Sequence, residues 1–90
     1  MKKFVIEREL PGAGKLSKEE LRAIAQTSCD VVNHLGKPYH WIETLVTENK
    51  MYCIHIAEDE HTIFEHAEKG GFPANSVAEV KAIIDPTTSV

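Results

Sequence analysis

The chain has 90 residues, 42% of them hydrophobic and 27% charged, with a formal net charge of −4. That length is enough for one domain and one core, and the composition is that of a globule rather than a disordered tail. The mild acidity and the lack of a basic stripe exclude a nucleic-acid partner, and no apolar run approaches the length of a membrane span.

The start, MKKFVIEREL, has an apolar run of only three residues before Glu7 and Arg8. This is too short for a secretory signal, so the chain reads as cytoplasmic. Its two cysteines, Cys29 and Cys53, belong to no paired motif. They are expected as reduced, small apolar groups.

KKFVIERE reads as the first strand, with Phe4, Ile6 and Arg8 facing one way and Val5, Glu7 and Glu9 the other. LPGAG then breaks the pattern as a flexible loop, and its spacing matches neither phosphate-binding glycine signature. Ser17 with Glu20 has the spacing of a capping box, and Leu16 with Leu21 that of a hydrophobic staple. The apolar stripe Leu21, Ile24, Ala25, Ser28, Val32 and Leu35 defines a first helix ended by Gly36 and Pro38.

YHWIETLVT and KMYCIHIA, joined by Glu48 and Asn49, read as a hairpin. Asp59 is placed to cap a second helix that runs to Gly70 and Gly71 and gathers Ile63, His66 and Ala67 on one face. FPANS reads as a turn, VAEVKAII as the last strand and DPTTSV as a frayed tail. The order β-α-β-β-α-β predicts an α+β ferredoxin-like sandwich, with two helices on one face of a four-stranded antiparallel sheet. A single domain is expected, its core spanning about 3–85 with a tail at 86–90.

Two helices cover only one sheet face, yet the hairpin is apolar on both. An antiparallel sheet with one wet face should alternate more cleanly. A second copy is the simplest cover, so a two-fold homodimer through the open sheet face is expected. A ligand groove or scattered surface aromatics is the other reading.

Three of the five histidines, His55, His61 and His66, fall within 12 residues among acidic side chains. His61 and Glu65 are neighbours one helical turn apart and read as a solvated pair. His66 is rotated roughly 140° from His61, so the two cannot grip one metal from a regular helix. The spacing fits no zinc-peptidase signature either.

His66 shares a face with Ile63 and should lie against the sheet, as a core-edge imidazole, a metal ligand or a proton carrier. A two-residue turn would set Thr47 opposite Lys50 and put His40 and His55 on one sheet face. A one-residue change would separate them. Glu7 on the first strand could join one of these imidazoles. Imidazole with carboxylate suits nickel, zinc, copper or iron.

FVIERELPG, HWIETLVTENKMYCIHIAEDEHTIFEHAEKGGFP and VAEVKAIIDPTT together resemble a family of small bacterial ferredoxin-like proteins, formerly of unknown function and named after a nickel-binding member. The likeness spans about 4–88, and Glu7 and His66 match the family's motif. His40 and His55 come from spacing, and the family often has tyrosine at the position of His55. The resemblance implies a dimer and suggests divalent nickel.

The leading expectation is a non-catalytic, dimeric, nickel-binding protein with His66, His55, His40 and Glu7 as metal ligands. The alternative is a small enzyme or ligand binder of the dimeric α+β barrel kind. Its pocket would be lined by Trp41, Tyr52 and Cys53, with His66 or His55 as proton carrier. A third possibility is an interaction domain with no small ligand.

Overall fold

The computed structural model describes all residues, 1–90. Strand β1 (Lys2–Glu9) leads through a short 3₁₀ turn at Ala13–Lys15 into helix α1 (Lys18–His34). The hairpin β2 (Tyr39–Val46) and β3 (Lys50–Ala57) follows, then α2 (Glu60–Gly70) and β4 (Ser76–Glu79). The sheet order is β2-β3-β1-β4, with every pairing antiparallel. This is the expected ferredoxin-like α+β arrangement.

Local chemistry sets the helix boundaries. Ser17 and Glu20 form the reciprocal capping box at the start of α1. Asp59 accepts from the Thr62 backbone N–H at the start of α2. Gly36 and Gly71 take the left-handed conformation after each helix, with φ of 69° at both.

The expected flexible glycine loop is instead docked on the hairpin turn. Gly14 N–H donates to Glu48 O at 3.0 Å, Gly12 N–H to Asn49 Oδ1 at 3.0 Å, and Leu10 N–H to Asn49 O at 3.0 Å. A Cβ on Gly14 would lie 3.0 Å from Glu48 Cα, so the close approach of two backbones explains that glycine.

The helix-facing side of the sheet carries Phe4, Ile6 and Arg8 from β1 and Met51, Cys53, His55 and Ala57 from β3, all buried. The core joins Phe4, Ile6, Cys53 and Ala57 to Leu35, Tyr39 and Ile63, with Val31 and Val32 against it. Each of the larger side chains contributes about 2 kcal/mol on burial. This core lies under the C-terminal half of α1. Toward the N-terminal end of the helix, Leu21, Ile24 and Ala25 are only half-buried.

Three expectations about the hairpin and the C-terminal segment need correction. Thr47 does sit opposite Lys50, donating its N–H to Lys50 O at 2.9 Å. A bulge at Ile42 then shifts the register, so Trp41 lies opposite His55, and His40 pairs with Ile56. His40 and His55 therefore point to opposite faces.

The last strand is shorter than VAEVKAII. It ends at Glu79, opposite Phe4, with one further bond from Val80 N–H to Lys3 O, and the chain then leaves the edge of β1. Residues 81–85 run free of the sheet with Ile83 and Ile84 exposed. The tail is not frayed but closes in a 3₁₀ turn, Pro86–Ser89, capped by Asp85.

Candidate functional site

Beneath the half-buried end of α1 lies a cavity of about 190 Å³ between helix and sheet. Leu21, Ile24 and Ala25 roof it, while Trp41, Val46, Met51 and Phe72 form apolar walls. Arg8, Ser28, Thr44, Cys53, His55 and His66 supply the polar groups of its lining.

The two imidazoles are almost fully buried, each 1% exposed, and their ring centroids lie 5.0 Å apart, edge to face. The Tyr39 hydroxyl is 2.5 Å from His55 Nδ1, and the Tyr39 ring stacks on His66 with centroids 4.9 Å apart. Ser28 Oγ, from α1, is 3.2 Å from His66 Nε2. His66 Nδ1 is the one buried side-chain nitrogen or oxygen without a partner.

Burial drives both rings to the neutral form. His55 falls from 6.5 to about 3, chiefly by desolvation, then by His66 and Arg8. His66 falls to about 4 by desolvation, with Ser28 opposing and Arg8 adding to the drop. The Tyr39 phenol is pushed up by burial and stays protonated. It therefore donates to His55 Nδ1, which leaves the imidazole proton on Nε2.

Arg8 is the unusual group. It is 4% exposed, its Nε donates to Cys53 Sγ at 3.2 Å, and Nη1 donates to the Pro73 carbonyl at 2.5 Å. Its guanidinium lies 5.3 Å from the centre of the Phe72 ring. No carboxylate pairs with it. Thr44 bridges the far side, accepting from Trp41 Nε1 at 2.9 Å and donating to Cys53 Sγ at 3.2 Å.

The structure brings His55 and His66 together and leaves the other expected ligands elsewhere. His40 is exposed on the opposite sheet face, where Glu7 is ion-paired with Lys50 at 2.6 Å. Glu7 pairs across to Tyr52 and His40 to Ile56, four residues further along β3, roughly 13 Å away. Tyr52, expected in the pocket, also faces away from the helices, whereas Trp41 and Cys53 do line the cavity.

No group of three or more His, Cys, Asp or Glu side chains is arranged to hold a metal ion. The interior pair suits a divalent cation poorly, because the buried Arg8 charge borders the same space. His61 is exposed, and its neighbour Glu65 is engaged by Lys37 at 2.8 Å and Lys69 at 3.3 Å. The surface donors without a hydrogen-bond or ion-pair partner include His40 and Glu43, and Cys29 is an exposed free thiol. Cys29 and His40 line one depression at the β2 edge, with Asn33 and Trp41.

Tyr39, Ser28 and Arg8 are site residues beyond those expected. Arg8 had a signal, since it is in phase with the buried Phe4 and Ile6 on β1.

No curated protein matches the chain. Among solved structures it is similar to SCO4226 from Streptomyces coelicolor A3(2), with a TM-score of 0.78 at 15% identity. That match covers 91% of this chain and 99% of the other, a likeness of fold. The family model described as nickel responsive protein SCO4226-like matches residues 4–80, so the chain belongs to that family.

Proposed function

We propose that this protein binds divalent nickel at its surface and works as a homodimer joined through the open sheet face. Nickel is supported by membership of a family described as nickel responsive. The observation that carries the reading is a depression at the edge of β2 whose lining includes both His40, from the open sheet face, and the exposed thiol Cys29, from α1. Imidazole and thiolate are both good ligands for late divalent metals. No three such donors converge in one subunit, so the site would be completed by water or by a second copy.

The dimer rests on the apolar character of the face opposite the helices. Val5, Tyr52, Ile54 and Ile56 are only half-buried there, and Leu45 is 54% exposed. The arm beyond β4 adds Ile83 and Ile84, at 70% and 77% exposure. Apolar surface of that extent on a small subunit is covered most simply by its own copy.

Calorimetric titration with Ni²⁺ and Zn²⁺, beside sedimentation with and without metal, tests both parts. Saturable nickel binding tighter than about 0.1 mM that weakens in His40→Ala and Cys29→Ser supports the assignment. Absence of binding, or binding indifferent to both substitutions, removes it. A monomer at micromolar concentration removes the dimer.

A further inference from the structure

The interior cavity is a separate problem, independent of nickel. A guanidinium that is almost fully buried needs compensation, since burying a charge without a partner is costly. Arg8 has a sulfur, a carbonyl and an aromatic face, but no anion. It borders a cavity whose other walls are mainly apolar. His66, on the same lining, keeps Nδ1 buried without a partner.

Size and polarity narrow the occupant. An apolar cavity of about 150 Å³ is known to hold benzene, and this one, at about 190 Å³, has room for a ring and one small polar group. The apolar walls refuse a highly hydrated anion such as free phosphate. The imidazoles, held neutral, offer hydrogen bonds without charge. One fixed positive charge at the end of an apolar space calls for one negative charge at the end of an apolar ligand.

We infer that the cavity binds a small aromatic monocarboxylate, its carboxylate paired with Arg8 and its ring held among Leu21, Ile24, Trp41 and Phe72. His55 and His66 provide neutral polar contacts beside the carboxylate, and Ser28 orients His66. The half-buried end of α1 is the part of the structure that seals over the ring.

The test uses the metal-free protein in chelator, so the outcome does not depend on the nickel reading. Benzoate and phenylacetate are titrated beside their neutral amides, benzamide and phenylacetamide. Binding is followed by Trp41 fluorescence and by amide chemical shifts. The acids are expected to bind roughly tenfold or more tighter than the amides, with shifts concentrated at Ser28, Trp41, Thr44 and Cys53. Arg8→Gln should abolish the preference for the acid. Should that variant not fold, the acid-to-amide comparison in the unaltered protein still decides. Equal affinity for acid and amide, shifts centred outside the cavity, or no saturation by either acid up to roughly 10 mM would each overturn the proposal.

Discussion

Lowering the pH from 7 to 5 should destabilise this fold by about 4 kcal/mol through His55 and His66 alone. Both rings are 1% exposed and neutral in the folded state, with values near 3 and 4 against an ordinary 6.5. Between those limits the unfolded chain binds more protons than the folded one, so stability falls as pH drops below 6.5 and is complete above it. At pH 5 each imidazole lies about 1.5 pH units below its unfolded pKa, worth about 2 kcal/mol. Their 5.0 Å ring separation makes a second charge costlier still. Four carboxyl groups, Glu20, Asp59, Glu65 and Asp85, are also held below ordinary values of 3.8 to 4.5. Their protonation matters below that range, so stopping at pH 5 isolates the imidazoles. Urea unfolding at the two pH values reads the loss as a lower midpoint. His66→Gln and His55→Gln should each remove about half of the pH dependence, even if they lower stability at pH 7. A midpoint unchanged from pH 7 to 5, or a dependence untouched by both substitutions, would refute the picture of two buried neutral rings.

The thiols should separate in kinetics: Cys29, exposed, reacts with a disulfide reagent at once, and Cys53, buried, only as the protein opens. A burst of two thiols in native protein would contradict the packing. Gly70→Ala should destabilise by about 1–3 kcal/mol in thermal or urea unfolding, despite the helix propensity of alanine. Its Cβ would clash with the Phe72 ring and push against the stack on His66. Ser17→Ala should cost about 1 kcal/mol by losing the cap of α1, whereas Lys50→Ala on the half-exposed Glu7 pair should cost about 1 kcal/mol or less.

Features written in a few neighbouring residues were legible from sequence. The Ser17–Glu20 box, the Asp59 cap and the glycines after each helix need only local spacing, and all stand as expected. The inward phase of Phe4, Ile6 and Arg8 was also legible, although its meaning was not. A buried arginine becomes informative only once its neighbours show that no acid accompanies it. The site failed where it depended on long-range register. The turn at Thr47 and Lys50 came out correctly, but nothing local in YHWIETLV marks Ile42 as the bulged residue. One irregularity was enough to send His40 to one face and leave Trp41 with His55. The end of β4 was hidden as well, since nothing within VAEVKAII marks Glu79 as the last residue of the ladder.

The irregularity in β2 decides which side chains the strand's outer half turns inward. Were Ile42 kept and the bulge ironed out, Ile42 would face His55, the indole would swing to the open face and the imidazole of His40 would turn toward the helices. Losing Ile42 altogether would straighten the ladder and leave Trp41 where it is. One spare residue therefore keeps the interior lined for flat, greasy guests and holds a third imidazole away from the guanidinium.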